Sequence, residues 1–235
     1  MASPLGKKTS YPQKFAPDLL FPIKRTEQRK TLKSNTFKGE DIWNIHELLW
    51  IDSNNTHHHD EISIAVPCTS TNIVESKSLK LFINSLIYQR FESILEVKKI
   101  IKKHLEPLLE ADIKLIDIYT KPDAKILNVK SNQNINHAPR NSKPMELFCF
   151  IGFRSLCPVT QQPDIADIFI NGAFNEVDQE NIASYLGCFF MKEAFHELCI
   201  EQIFEDLKFY DYLFTSVEGY FERRGGIAII PKRYS

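Results

Sequence analysis

Apolar positions along this chain follow two periods, and the changes between them mark out its elements. Residues 145–155 are apolar and aromatic, the pattern of a buried strand. Residues 164–171 alternate as a second strand, and Asn171-Gly172 supplies a turn signal. Asp178 reads as the cap of a helix running through Ile182, Tyr185, Leu186 and Phe189. From Glu193, Phe195, Cys199, Ile203 and Leu207 recur at helical spacing and predict a second helix. Residues 215–222 and 226–230 read as two strands joined near Arg223-Arg224-Gly225. The order is strand, strand, helix, helix, strand, strand.

The first half is a fainter copy. Residues 61–66 alternate as a strand. Over 78–88, Leu79, Phe82, Ile83 and Leu86 share one helical face. Residues 92–109 predict a longer amphipathic helix with a lysine-rich outer side, and 113–119 alternate again. His57-His58-His59, after Ser53-Asn54-Asn55-Thr56, reads as a polar loop. The stretch 128–144 is rich in Asn, Ser, Lys and Pro and reads as a linker. The expected fold class is α+β. Two modules, 1–127 and 145–235, would each hold an antiparallel sheet with two helices on one face.

Composition narrows the function. The 235 residues carry 29 Lys/Arg against 30 Asp/Glu, so a whole-surface polycation for gripping nucleic acid is not expected. Charge is uneven, however: residues 1–40 have a local net of +6 and residues 157–222 one of −11. No apolar run approaches the roughly 20 residues of a membrane span, and the polar, lysine-bearing start does not read as a secretory signal. Five cysteines without a C-x-x-C pair do not form a disulfide framework or a zinc ribbon, and a reducing cytoplasm fits best. No metal site is expected, because Cys149, Cys157, Cys188 and Cys199 lack zinc-site spacing.

Four clusters could carry chemistry. In Ser155-Leu156-Cys157-Pro158-Val159-Thr160-Gln161-Gln162-Pro163-Asp164, a thiol sits where the chain leaves a strand, with a carboxylate seven residues on. An exposed thiol there can act as a nucleophile, and a carboxyl shielded from water as a proton donor; a buried packing cysteine gives the same pattern. Phe195-His196-Glu197-Leu198-Cys199 puts Glu197 at a helix N-terminus, either complementing the dipole or accepting paired N–H bonds from a guanine-like edge. His196 fits a proton relay or a packed core position. Glu75-Ser76-Lys77-Ser78-Leu79-Lys80-Leu81-Phe82 places hydroxyls and a lysine at a helix start, suited to phosphate or to simple capping. Arg223-Arg224-Gly225-Gly226 is a basic hairpin suited to phosphate, or an ordinary tight turn.

Together these clusters resemble the NADPH-dependent 7-cyano-7-deazaguanine reductase family, the nitrile reductases of queuosine biosynthesis in tRNA modification. The Glu75–Phe82 run matches that family's hallmark. Cys157-Pro158-Val159-Thr160 and Gln162-Pro163-Asp164 match its catalytic segment. Phe195-His196-Glu197 and Arg223-Arg224-Gly225-Gly226 follow in the family's order. The likeness runs from about Leu5 to the end and is to the two-module branch. It departs at Ile165, where tryptophan is usual, at Gln161, where glycine is common, and in a shorter connection around 125–145.

The resemblance implies tandem tunnelling-fold modules, a homodimer with sites at or near module interfaces, and NADPH as cofactor. It implies Cys157 as the nucleophile that forms a thioimide with the nitrile and Asp164 as the general acid. Val74, Glu75, Ser76, His196 and Glu197 match substrate-binding positions. Ser76, Lys77, Arg224 and Gly225 match cofactor contacts. The implied partner is a small deazapurine nitrile, with no direct nucleic acid and no membrane. Two rivals remain at this level: a Cys-His acyl-transfer hydrolase using Cys157 and His196, and a purine-binding module without catalysis.

Overall fold

The computed structural model describes residues 11–130, 134–138 and 143–235, so parts of the 128–144 connection lie outside the described residues. In chain order, β1 (Pro22–Lys24) and α1 (Arg25–Gln28) precede β2 (Lys38–Ile51) and β3 (His57–Pro67). A short β4 (Asn72–Val74) leads into α2 (Ser76–Ser85), followed by α3 (Ile94–Leu109), β5 (Lys114–Ile116) and β6 (Lys125–Asn128). Then come β7 (Glu146–Leu156), β8 (Pro163–Gly172), α4 (Glu176–Leu186), α5 (His196–Phe209), β9 (Phe214–Arg224) and β10 (Ile227–Tyr234).

The chain packs as two compact units, and its halves exchange segments. One unit holds residues up to Glu27, Ile42–Tyr119 and Arg223–Ala228; the other holds Gln28–Asp41, Thr120–Glu222 and Ile229–Ser235. In the first, strands run in the order β5-β3-β2, with Ile64 opposite Leu115 in the antiparallel β3–β5 pair. Helix α3 buries Val97, Ile101, Leu105 and Leu109, one residue per turn, as its sequence stripe requires. In the second, the order is β10-β9-β8-β7-β6. Helix α5 covers one face of that sheet. A Cβ on Gly219 of β9 would fall 2.5 Å from the Ile200 side chain, so a larger residue there would have to displace it.

The α+β organisation expected from the sequence is present, with local corrections. Strand β2 has no counterpart in the periodicity, because its residues 41–45 are buried consecutively and conceal the period of two. His57, His58 and His59 belong to β3 rather than to a loop. His58 stacks on Trp50 at 4.2 Å, and the turn instead uses Asp52, which accepts N–H bonds from Asn54 and Thr56. The cap of α4 is Asn175. Asp178 is its reciprocal partner in a capping box, bonding back to the Asn175 N–H at 3.0 Å. Helix α5 starts at His196, three residues beyond the periodicity's first candidate. Strand β6 pairs parallel to β7, the exception to an otherwise antiparallel pattern in the described pairs.

A buried ion network ties the ends of the second unit's segments together. Arg233 of β10 is fully buried and contacts Glu201 of α5 at 2.7 Å and Asp41 of β2 at 2.8 Å. Its other amino group donates to the carbonyls of Glu40 and Lys232. Arg29 grips the same Glu201 carboxylate through two bonds, of 3.0 and 2.6 Å. Two cations face two anions, so the charges compensate one another away from water. Glu201→Ala would take the shared anion from the fully buried Arg233, which keeps Asp41, and from the partly exposed Arg29. The expected loss is about 3–5 kcal/mol of stability, read as a lower denaturant midpoint, because removing one partner of a buried ion pair costs that much.

Candidate active site

The second unit's site begins with a strand register. Antiparallel β7 and β8 place Ser155 opposite Asp164 and Leu156 opposite Pro163. The pairing continues one step further, since the Cys157 N–H donates to the Gln162 carbonyl at 2.9 Å. Side chains alternate between faces, so Cys157 falls on the same face as Ser155 and Asp164. Opposite and diagonal neighbours on one face are within reach of each other's side chains. Cys157 is partly exposed at the head of this hairpin, while Asp164 is buried. A thiol that a ligand can reach therefore stands one diagonal step from a shielded carboxyl.

Helix α5 supplies the next layer. Its cap residue, Phe195, makes no side-chain capping bond, so the positive end of the helix dipole is not covered by its own cap. His196 Nε2 lies 3.3 Å from Asp164 Oδ2, and its ring packs on Phe221 with centroids 4.3 Å apart. Glu197 follows in the first turn and is buried. Beneath them lies Cys199, its thiol pushed up to about 12 chiefly by complete burial; the Asp164 and Glu197 charges add to the shift, while the Ser155 hydroxyl and Lys192 oppose it. Cys199 is thus a neutral part of the floor, whereas Cys157 is the thiol presented outward.

In the first unit, Val74 ends β4 and Glu75 caps α2. The Glu75 carboxylate accepts the Lys77 N–H at 2.8 Å and the Ser78 N–H at 2.9 Å. The Ser78 hydroxyl donates to the Glu75 carbonyl at 2.7 Å and accepts the Phe21 N–H at 3.1 Å, stitching the N-terminal segment to the motif. Two of the amides that a helix start offers an anion are therefore already taken. Exposed Ser76 and half-buried Lys77 stand on the first turn. Gly225 adopts φ +56, and a Cβ there would lie 2.1 Å from Lys80 Nζ. The Lys80 ammonium thus fills the space beside the Gly225 backbone that a side chain would take. The Arg224 side chain lies outside the described part of the structure.

The structure therefore brings together Cys157, Asp164, His196 and Glu197 within one unit. It places Val74, Glu75, Ser76, Lys77 and Gly225 in the other. Two features have no counterpart in the sequence reading. Ser155 and Cys199 form a buried polar floor, signalled only by Ser155 standing two residues before Cys157 in a strand. Lys80 lies inside the quoted motif, and its spacing of three and four from Lys77 and Ser76 was the clue to a shared face. Among the described residues no group of three or more His, Cys, Asp or Glu side chains could hold a metal ion. No helix among them is long and apolar enough to cross a membrane.

Comparison with known proteins adds to this geometry. Residues 11–116 match the family model for "Nitrile reductase, 7-cyano-7-deazaguanine-reductase N-term". Residues 163–235 match the model for "QueF-like protein". Cys157 falls between these spans, but full-length relatives cover it. The chain is 35% identical to an NADPH-dependent 7-cyano-7-deazaguanine reductase from Desulfotalea psychrophila, over 98% of this chain and 91% of that protein. It is 31% identical to the reductase of that name from Coxiella burnetii, with the same coverage. It is 32% identical to that from Acinetobacter baylyi, over 98% and 92%.

The five thiols should separate sharply on labelling. Burial raises Cys149 to about 11 and Cys199 to about 12. At pH 8 a thiol near 12 is ionised only about one part in ten thousand. Cys68 is also buried. Iodoacetamide at pH 8 should modify Cys157 and Cys188 in the folded protein, and all five cysteines once it is unfolded. Peptide mapping reads the difference. Rapid modification of Cys199 in folded protein would overturn this picture of the floor.

Proposed function

The chain belongs to the 7-cyano-7-deazaguanine reductase family of nitrile reductases, and on that footing we propose that it reduces the nitrile of 7-cyano-7-deazaguanine to the primary amine with NADPH, a step in queuosine biosynthesis. The observation that carries the mechanism is the β7–β8 register. It sets a reachable thiol diagonal to a buried carboxyl that a histidine contacts at 3.3 Å.

A nitrile carbon is a poor hydride acceptor until a nucleophile adds to it. The Cys157 thiolate forms a bond to that carbon and breaks one π bond of the nitrile. The nitrogen takes its proton from Asp164, giving a covalent thioimide. His196, in contact with Asp164, orients the carboxyl and stands where it can return the proton. The uncapped start of α5 favours the negative charge that passes from sulfur to nitrogen. Glu197 accepts N–H bonds from the purine-like edge, joined in substrate binding by His196 and by Val74, Glu75 and Ser76. Ser76, Lys77, Arg224 and Gly225 hold the cofactor, with Lys80 beside Gly225 as an added cation. NADPH, when bound, supplies a hydride for each of the two reductions from nitrile to amine. Expulsion of the Cys157 sulfur between them frees the residue for the next cycle.

Tandem tunnelling-fold modules, 1–127 with Glu75 and 145–235 with Cys157, joined through 128–144, form part of the same reading. So do a homodimer, a cytoplasmic location and a reaction without direct nucleic-acid contact. The family resemblance and the thiol-rich, disulfide-free chain support them.

Mixing protein with the nitrile should give a mass gain equal to the whole ligand, mapped to the Cys157 peptide. Adding NADPH should then produce loss of reduced-nicotinamide absorbance that needs both protein and nitrile. Cys157→Ala should abolish adduct and turnover while the denaturation midpoint holds. Asp164→Asn should lower kcat by about 100-fold or more, the range for loss of a proton donor. Ligand binding without adduct would favour the inactive purine-binding reading, and ester hydrolysis without nicotinamide the acyl-transfer one.

A further inference from the structure

The hairpin that carries Cys157 closes on a residue in an uncommon backbone conformation. Gln161 has φ +56, the left-handed region that side-chain-bearing residues enter at a cost. The geometry explains why. Residues 158–161 bridge Cys157 and Gln162, and the Gln161 N–H turns back to the Cys157 carbonyl at 2.9 Å. A four-residue turn closed in this way needs a left-handed last residue, which glycine supplies without strain.

What holds Gln161 there is visible in its side chain. Its Nε2 donates to Glu193 Oε1 at 3.0 Å. Glu193 is the middle of a short segment that pairs with the last residue of β7. The Leu156 N–H donates to the Lys192 carbonyl at 2.8 Å, and the Ala194 N–H donates to the Leu156 carbonyl at 3.0 Å. Backbone bonds therefore grip the hairpin just before Cys157, and one side-chain bond grips it four residues after. The gripping segment runs directly into His196 and Glu197.

We propose that Gln161 and Glu193 form a latch that fixes the Cys157 hairpin against the start of α5, both acting as positioning residues. Its value for catalysis rests on the nucleophilic role assigned to Cys157. The latch itself is a local mechanical claim: a strained turn residue is retained because its side chain secures the far side of the hairpin.

Four full-length variants test it: Gln161→Gly, Gln161→Glu, Glu193→Gln and the swap Gln161→Glu/Glu193→Gln. Two readouts are followed, hydrogen exchange of the 157–162 amides and the rate of nitrile adduct formation on Cys157. Gln161→Gly should hold or raise the denaturation midpoint, since the strain is gone. It should nevertheless speed exchange in the hairpin and slow adduct formation by about three- to tenfold, the scale of one exposed hydrogen bond. Gln161→Glu sets two carboxylates together and should do the same. Glu193→Gln keeps an oxygen acceptor for the Gln161 amide and should change both rates by less than about threefold. The swap rebuilds the bond with donor and acceptor exchanged and should return both rates to within about twofold of the parent. A purely structural role would lower the midpoint in step with the rates. Parent-like exchange in Gln161→Glu, or a folded swap variant that does not recover, overturns the latch. If the parent forms no nitrile adduct, the proposed function fails, and exchange alone decides the latch.

Discussion

When β7 pairs with β8 so that Ser155 faces Asp164, alternation leaves little freedom for the rest of the second unit's site. Cys157, two residues after Ser155, must share its face. A slip of one residue would send the thiol and the carboxyl to opposite sides of the sheet. The core that enforces the register is aromatic. Phe148, Phe150 and Phe153 of β7 are fully buried, and Phe153 meets Phe189 and Phe221 at ring distances of 5.3 and 6.0 Å. Burying each such ring is worth about 1.5–3 kcal/mol. Moving several of them into water to gain another register is therefore far more costly than any single polar contact in the site could offset.

The two helices that carry the motifs treat their N-termini in opposite ways. Helix α2 closes its own: the buried Glu75 carboxylate takes two amide protons, and the Ser78 hydroxyl links the turn to Phe21. Lys80 lies against the Gly225 backbone beside this turn, and Lys77 stands on the turn itself. Helix α5 has a cap residue, Phe195, whose side chain makes no capping bond, and its first turn carries His196 and Glu197. A helix end in that condition acts on charge by its field. Glu197, in the first turn, is placed to feel it directly.

Legibility from sequence followed this division. Strands β7 and β8 were readable because one is a continuous apolar run and the other alternates, and both are bounded by turn residues. Cys157-Pro158 and Pro163-Asp164 fall at the two ends of the hairpin, so the positions of thiol and acid came through nearly intact. Strand β2 was not readable: it is buried on both faces over 41–45, and no period survives that. The exchange of segments between the halves, which sends 28–41 to the second unit and 223–228 to the first, leaves no local trace either. Arg233 and Glu201 are far apart in sequence, and nothing near either marks them as a pair. His57-His58-His59 reads as a loop by composition, although His57 and His59 lie on the exposed face of β3 and His58 on the other, stacked on Trp50. Glu75 was legible as a motif, but its capping bonds depend on backbone geometry that residue types alone do not specify.

Two thiols show how environment, rather than residue type, assigns chemistry. Cys157 and Cys199 both follow hydrophobic residues, and neither neighbourhood in sequence separates a nucleophile from a packed side chain. Depth separates them. Cys199 lies under the sheet face near Ser155, Lys192, Asp164 and Glu197, and its complete burial pushes the thiol up to about 12. Cys157 sits where the strand has ended and the chain turns back, partly exposed to solvent. Accessibility, more than residue type, thus sets which of the two thiols a reagent in solution can meet.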